Sequence, residues 1–421
     1  ARLAGADAVH PGYGFLAENA GFAAAVEDAG LVFVGPQPEV IRLMGDKIVS
    51  REFAQQHGVP VAPSCRQDGT LEDFVAGASA IGFPLLIKAA AGGGGKGMSI
   101  VRNADELAAR AATASSEALR YFADGRVYAE RYVERPRHIE VQVFGDGQGK
   151  VLHLYERECS VQRRFQKIIE ESPAPNLPPD LRDRICAAAV KLAAAARYRN
   201  AGTVEFILAP DGEFYFLEMN TRLQVEHPVT ECVTGLDLVE LQLRLAGGEP
   251  LTLTQGDIVQ QGHAFECRIC AEQPEHDFRP ATGVVQRLRE PRGEGVRFDG
   301  GLREGLAVTA AFDSMLAKLI TAGASRAESA ARMRAALRDF VLLGVDHNAD
   351  YLSRIFAHET FLAGQLHTGF VVEHAESLAP APLAPTERAA VLIAAALAAD
   401  EFRQLAYDCP EPHASIGAWR N

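Results

Sequence analysis

The stretch TVEFILAPDGEFYFLEMN, Thr203 to Asn220, constrains the fold of this chain more than any other. Two alternating runs flank Asp211-Gly212, and Asp-Gly between such runs signals a two-residue hairpin turn. Folding about that turn pairs Pro210 with Glu213 and walks outward until Glu205 faces Glu218. Two carboxylates directly opposite on one sheet face repel, which destabilises the pair unless positive charge lies between them. One divalent ion suits that gap, and oxygen ligands select Mg²⁺ or Mn²⁺ over zinc. Asn220, two residues past Glu218, returns to the same face and adds another oxygen. The competing reading is a solvated face on which two glutamates happen to meet.

The segment continues as MNTRLQVEHPVTE. Arg222, Gln224 and Glu226 alternate, so an extended chain aims all three the way Asn220 points. A guanidinium, an amide and a carboxylate beside a metal make a site for a small oxyanion plus a base. Upstream, CSVQRRFQKIIEES adds Arg163, Arg164 and Lys167, more cation than a strand face needs; a surface basic cluster is the alternative.

A second stretch, IKAAAGGGGKGMSI from Ile87 to Ile100, suggests a phosphate loop. It is not a Walker A loop: Ala90 stands where that pattern needs glycine, and Gly97 follows Lys96 where a hydroxyl should bind magnesium. It is not a dinucleotide fingerprint either, since MSIV reads as a strand and the next helix signal comes only at Asn103. The stretch is a glycine-rich connection between two strands.

Composition narrows the classes. A formal charge of −13, from 42 basic and 55 acidic residues, argues against nucleic acid as the main partner. No apolar run has the length needed to cross a bilayer, so no membrane partner is expected. The seven cysteines are scattered, which fits a reducing compartment. Cys267 and Cys270 form a lone C-x-x-C; on a strand their side chains point to opposite faces, which favours free core thiols over zinc.

The expected architecture is multidomain, α/β and α+β. Residues 1–34 alternate strand and helix, as in the end of a doubly wound domain, and 35–63 form a helical linker. A small α/β unit at 64–132 holds the glycine loop. Residues 133–375 form a large α+β region, with Ser325-x-x-Glu328 as a capping box. Residues 376–421 are a proline-rich linker, ESLAPAPLAPTE, and the start of a following interaction domain. The chain starts at Ala1 without methionine or a signal pattern, and reads as a piece of a longer protein.

Together HPGYGFLAEN, MGDK, IKAAAGGGGKGM, ERYVERPRHIEVQVFGD, ECSVQRRFQKIIEESPAP, GTVEFI, FLEMNTRLQVEHPVTE and ECRICAE resemble an ATP-grasp enzyme. More narrowly they resemble the biotin carboxylase component of a biotin-dependent acyl-CoA carboxylase α subunit, closest in feel to the methylcrotonyl-CoA and geranyl-CoA types. The motifs run in family order from residue 1 to about 375. The resemblance implies an ATP-grasp fold preceded by a truncated Rossmann-like domain, with 64–132 as its lid subdomain.

Carried over by position, the resemblance implies that Lys47 and Lys88 contact nucleotide phosphates. Gly93, Gly94, Gly95 and Gly97 close over ATP as a lid, beside Met98. Glu130, Arg131 and Val133 line the adenine pocket, with His138 and Gln162 nearby. Glu205, Glu218 and Asn220 hold Mg²⁺ or Mn²⁺. Lys167, Arg222, Gln224 and Val225 bind bicarbonate, Glu226 is the general base, and Arg268 and Tyr13 face the biotin ureido ring. Phe165 departs from the family, which often carries histidine in QRRHQK; this puts in doubt a nucleotide contact there. No M-K-M biotin-attachment tripeptide is present, so the biotin belongs to a carrier domain elsewhere.

The implied reaction is ATP plus bicarbonate plus biotin to carboxybiotin, ADP and phosphate. The implied partners are a biotin carboxyl carrier domain and a carboxyltransferase β subunit, within a homo-oligomer or a large hetero-oligomer. Alanine and arginine richness points to bacterial cytoplasm, with the mitochondrial matrix as the alternative. Another ATP-grasp ligase, of carbamoyl-phosphate or peptide type, would share the Glu205/Glu218 pair but gives no reason for HPGYGF and ECRICAE. A non-catalytic scaffold on the same fold would bind no metal-ATP.

Overall fold

Helix capping sets the first framework residues. The computed structural model describes residues 1–66, 69–90 and 98–406. Strands β1 (Ala8–Val9) and β2 (Val32–Phe33) pair in parallel across helix α1 (Ala20–Asp28), the expected strand–helix–strand unit. Asn19 caps α1, accepting from the Phe22 N–H at 2.7 Å. Helices α2 (Pro38–Gly45) and α3 (Lys47–Gln56) are split by Asp46 alone. Its carboxylate accepts from Ile48 and Val49 N–H at 2.9 and 3.1 Å, which places Lys47 at the first position of α3.

A four-stranded antiparallel sheet follows, in the order β3 (Ser64–Arg66), β6 (Val127–Arg131), β4 (Leu85–Ala89), β5 (Ser99–Val101). Helices α4 (Leu71–Ile81) and α5 (Ala104–Phe122) share its apolar core. Asn103 caps α5 as anticipated, accepting from the Glu106 N–H at 3.3 Å. The glycine stretch does join two neighbouring strands, β4 and β5. Gly93, Gly94, Gly95, Lys96 and Gly97 lie outside the described residues.

The largest sheet has eight antiparallel strands. Its order is β11 (Phe214–Asn220), β10 (Arg199–Leu208), β7 (Arg137–Asp146), β8 (Val151–Arg163), β9 (Gln166–Ser172), β12 (His263–Cys270), then Met315–Gly323 and Val296–Gly300. Apolar residues of β7, β10 and β11 pack with α2, α3 and α6 (Pro179–Ala195) to form one core. A second core joins β9 and β12 to helix Arg326–Asp339 and the residues up to Leu378. Alternation along β7 and β10 therefore sends Ile139, Val141, Val204 and Phe206 into that first core. The intervening His138, Glu140 and Glu205 go to the opposite face.

Four local expectations change. The Asp211-Gly212 turn is a three-residue loop: Ala209 N–H donates to Glu213 O (2.8 Å) and Gly212 takes φ +86°. The pairs next to it, Leu208 with Phe214 and Phe206 with Phe216, are thus one residue out of the expected register. A bulge at Leu217 restores it, so Glu205 still faces Glu218. Residues 221–226 do not continue as a strand; the chain turns at Val225-Glu226 into α7 (His227–Thr234). The third change is at Ser325, which accepts from the Glu328 N–H (3.3 Å) while Glu328 caps Ala324 N–H (2.8 Å), so the box closes one residue early. The fourth concerns the RRF stretch, which contains a two-residue hairpin turn at Arg164-Phe165, both with φ above +45°.

Cys267 and Cys270 are buried and free, as the strand geometry implied. Contacts divide the chain into two units, Ala1–Leu378 and Ala379–Asn421; the second contains helix Pro385–Ala406. Among the described residues, no helix is long and apolar enough to cross a membrane.

Candidate active site

Apart from Arg164, which pairs with Asp277 at the surface, the described candidate site residues line one cavity of about 650 Å³. One end carries Lys47, Lys88, Met98, Glu130, Arg131, Val133, His138 and Gln162. The other carries Tyr13, Lys167, Glu205, Glu218, Asn220, Arg222, Gln224, Val225, Glu226 and Arg268.

Sheet register builds the floor. Glu218, Glu205, Glu140 and Arg157 stand opposite one another in a single row across β11, β10, β7 and β8. Three neighbouring carboxylates, with Glu140 and Glu205 buried and Glu218 half-buried, cannot all stay charged without cations. The structure supplies them. Lys167 Nζ lies 2.5 Å from Glu140, 3.0 Å from Glu205 and 2.6 Å from Glu226. Arg157, fully buried, donates to Glu140 (2.5 Å), Gln142 (2.8 Å), Gln224 (2.8 Å), Thr230 (2.9 Å) and Thr203 (3.2 Å). Lys47 lies 3.1 Å from Glu218. Burial alone would push the Lys167 ammonium down, but Glu140, Glu205 and Glu226 outweigh it and hold it well above the usual lysine value.

Two bulges are needed for this convergence. Without the one at Leu217, Glu218 would follow Phe214 and Phe216 into the apolar core. On β9, Ile169 faces Val161 and Lys167 faces Gln162, so Ile168 is the unpaired extra residue. That extra residue turns Lys167 and Glu170, an odd step apart, toward the same cluster.

Glu226 sits at the start of α7 with each oxygen held by a cation: Oε1 by Lys167, Oε2 by Arg268 at 2.9 Å. Burial would raise its proton affinity, yet Lys167, Arg268 and Arg157 hold it well below the usual carboxylate range. Arg268 is steadied from behind by Glu170 at 2.6 Å. Lys318 Nζ donates to the Val225 carbonyl at 2.9 Å, and Gln224 Nε2 donates to Glu205 at 2.8 Å. The turn that carries Glu226 is therefore tied down on both sides. Arg222 reaches Asn220 Oδ1 (3.1 Å) and Glu18 (3.0 Å). The Asn220 amide nitrogen donates to Glu205 (2.9 Å), and His138 lies between Gln162 (3.0 Å) and Glu205 (2.9 Å).

At the other end, Glu130 is buried between Lys88 (2.5 Å) and Arg51 (3.0 Å). Burial works against its charge, and the two cations still keep it below the usual range. Its side chain thus orients Lys88 rather than pointing free into the cavity. Phe165 lines the cavity at the tip of the β8–β9 hairpin, well exposed, with the adjacent Arg164 paired to Asp277.

Sequence reasoning missed Glu140, Arg157, Glu170, Arg51 and Lys318. A signal existed for Glu140: His138, Glu140 and Gln142 alternate with Ile139, Val141 and Val143, which marks a polar strand face opposite a core. Arg157 stood in a run of charges, Glu156-Arg157-Glu158, with no periodicity to distinguish it. As a test of fit, the donors offered by Glu205, Glu218 and Asn220 include carboxylate and amide oxygens on one face, which matches a hard divalent cation. Lys47 and Lys88 offer ammonium groups for phosphate.

Comparison with known proteins gives the family. The carbamoyl-phosphate synthase L chain ATP-binding domain model matches residues 46–254. The biotin carboxylase N-terminal and C-terminal domain models match 1–41 and 266–373. A pyruvate carboxylase subunit from Methanothermobacter thermautotrophicus is 50% identical over 375 residues, covering 89% of this chain and 76% of that protein. A biotin carboxylase from a Nostoc species is 49% identical over 371 residues, 87% of this chain and 83% of that protein. The alpha subunit of the mitochondrial methylcrotonoyl-CoA carboxylase of Dictyostelium discoideum is 44% identical across the whole chain, which spans 61% of it. Among solved structures, the biotin carboxylase domain of Hydrogenobacter thermophilus 2-oxoglutarate carboxylase, crystallised with MgADP, ADP and bicarbonate, superposes with a TM-score of 0.87 at 43% identity. That match covers 90% of this chain and 84% of that one. The row of carboxylates, the clamped glutamate and the matched domains lead to one conclusion: this chain belongs to the biotin carboxylase family of ATP-grasp enzymes.

Proposed function

We propose that the residues around Glu226 carry out the ATP-dependent carboxylation of biotin by bicarbonate, through carboxyphosphate. The observation that carries this assignment is the double clamp on Glu226. A buried carboxylate held by Lys167 and Arg268 is a poor base at rest. Bicarbonate offers its own oxygens to Lys167 and Arg222, and as Lys167 turns to them Glu226 loses a stabilising charge and gains proton affinity. The base is thereby activated by the substrate it deprotonates.

The deprotonated bicarbonate, held by Lys167, Arg222, Gln224 and the Val225 backbone, attacks the γ-phosphoryl group from a fixed position. Lys88, oriented by Glu130, and Lys47 contact the phosphates. Glu205, Glu218 and Asn220 are the residues that would hold Mg²⁺ or Mn²⁺, which supplies charge neutralisation during phosphoryl transfer. Carboxyphosphate breaks to CO₂ and phosphate, and the phosphate takes the proton from the ureido nitrogen. Arg268 stabilises the enolate-like ureido oxygen, with Tyr13 against the ring. Met98, Arg131, Val133, His138 and Gln162 line the nucleotide end. The lid role of Gly93, Gly94, Gly95 and Gly97 is carried over from the resemblance alone. Its purpose would be to exclude water, which hydrolyses carboxyphosphate.

The experiment is ATP turnover with and without bicarbonate and biotin. Turnover that rises with both is expected; equal rates with and without them would sink the assignment.

The narrower reading is an α subunit of the methylcrotonyl-CoA or geranyl-CoA carboxylase type, working with a biotin carrier domain and a carboxyltransferase β subunit in bacterial cytoplasm or mitochondrial matrix. It is favoured by the Dictyostelium protein, whose alignment runs through residues 379–421, whereas the alignment with the Methanothermobacter protein covers 89% of the chain. Acyl-CoA carboxylation by the assembled complex decides it: carboxylation of pyruvate instead would overturn it.

A further inference from the structure

Behind the Glu226 clamp lies a pair of acids the proposed mechanism does not use. Glu266 of β12 stands directly opposite Glu170 of β9. Both are fully buried, and neither Glu266 oxygen has a hydrogen-bond partner; Glu170 Oε2 has none either. Glu170 Oε1 is committed to Arg268. The groups whose charge reaches Glu266 are few: Lys318 from the neighbouring strand, Glu170 from β9, Arg268 from its own strand and Glu226 at the start of α7. The charge of Glu266 also reaches the thiols of Cys232 on α7 and of its strand neighbour Cys267. Lys318 donates to the Val225 carbonyl and pairs with Asp299 at 3.7 Å, Arg268 is shared by Glu170 and Glu226, and neither cation forms an ion pair with Glu266.

A buried carboxylate with both oxygens unbonded, directly beside another carboxylate, is strongly disfavoured; the same group carrying a proton is disfavoured far less. We infer that Glu266 is a neutral, protonated acid in the working enzyme, and that it acts as a positioning residue by leaving Arg268 wholly to Glu226 and Glu170. Burial raises Glu266 well above the ordinary carboxylate range and pushes Glu170 up to about 7, in the same direction. Ionisation of Glu266 at alkaline pH places a third carboxylate in competition for Arg268 and Lys318. It thereby loosens both the guanidinium and the Val225-Glu226 turn. The functional half of this inference rests on the role given to Arg268 above; the protonation half does not.

Two variants test it in the full chain. Glu266→Gln mimics the neutral acid, and Glu266→Met replaces it by an apolar side chain of similar length. The folded state holds the proton that the unfolded chain releases above the ordinary glutamate pKa, so Glu266 weakens folding increasingly as pH rises from about 4.5. Urea midpoints of both variants should therefore gain on the parent protein between pH 5 and pH 8. A difference that stays constant over that range, or variants that lose ground as pH rises, overturns the proton assignment whatever the activity. If Glu266→Gln fails to fold, Glu266→Met alone gives this readout, and failure of both to fold at any pH also overturns it. For function, kcat for biotin carboxylation by Glu266→Gln should match the parent within about twofold at pH 7, with its alkaline fall moved to higher pH. Superimposable alkaline limbs would overturn the positioning role while leaving Glu226 as the base.

Discussion

Replacing Arg157 by methionine tests whether the buried cations hold the carboxylate row together. Arg157 makes five side-chain hydrogen bonds, all to groups that are themselves buried. Methionine fills most of the volume, so the loss is electrostatic rather than a cavity. Breaking a buried ion pair from one side costs roughly 3–5 kcal/mol, because the other charge stays behind. Glu140 keeps Lys167 at 2.5 Å, which limits the damage. The amide oxygens of Gln142 and Gln224 can turn toward other donors, so their separate penalties of about 1–3 kcal/mol each do not simply add. The expected loss is about 3–5 kcal/mol, read from urea unfolding followed by far-ultraviolet circular dichroism at constant m-value. Adding Glu140→Gln removes the stranded charge, so the double variant should be more stable than the sum of the singles by about 1–3 kcal/mol. A single-variant loss below about 1 kcal/mol, or strict additivity, would refute the account. Because Gln224 loses its anchor, the bicarbonate KM should also rise in Arg157→Met.

Three further outcomes are expected. Glu226→Gln should leave ATP binding near normal and lower bicarbonate-dependent turnover by roughly 10²-fold or more; unchanged turnover in a coupled ADP assay contradicts the base assignment. Lys167→Gln should depress kcat for biotin carboxylation far more than it raises the ATP KM, and a change confined to the ATP KM would place Lys167 at the wrong substrate. His227 is held at a pKa of about 4, mainly by burial and then by Lys318, against an unfolded value near 6.5. Its proton is taken up more readily by the unfolded chain, so stability is full above about pH 6.5. As pH falls toward 4 the loss reaches up to about 3 kcal/mol. Urea midpoints of His227→Gln should fall less steeply between pH 7 and 5, and an identical slope would show that another group governs that range.

The reach of the sequence follows the nature of its signals. Alternation and an Asp-Gly turn were enough to bring Glu205 opposite Glu218, although by a register that is wrong near the turn. A three-residue loop shifted the inner pairs, and the Leu217 bulge shifted them back. Bulges have no short-range signature in such a run: nothing in FYFLEMN marks Leu217 as the extra residue. The same limit hid Ile168. Arg222, Gln224 and Glu226 alternate as on one face of a strand and do converge, but through an irregular turn held by Arg157 and Lys318. Those two clamps come from β8 and from Lys318, 93 residues after Val225, and no local pattern links them to the turn. Residues that line the cavity stood in a specific motif; the residues that hold them in place were legible only as polar breaks in apolar strands.

The bulge at Ile168 has a bearing on how this family can tolerate deletions. Loss of that one residue would remove one of the two irregularities in the β8–β9 ladder and leave the one between Glu158 and Val161, a hydrogen-bond pattern more regular than the native one. It would also rotate everything on one side of it by half a pleat, so that Lys167 or Glu170 leaves the charged cluster around Glu226. Such a chain is expected to fold and to be inert. Screens that score only folding would pass it, and a sequence aligned with a gap at this position should be read as a dead site before it is read as a variant enzyme.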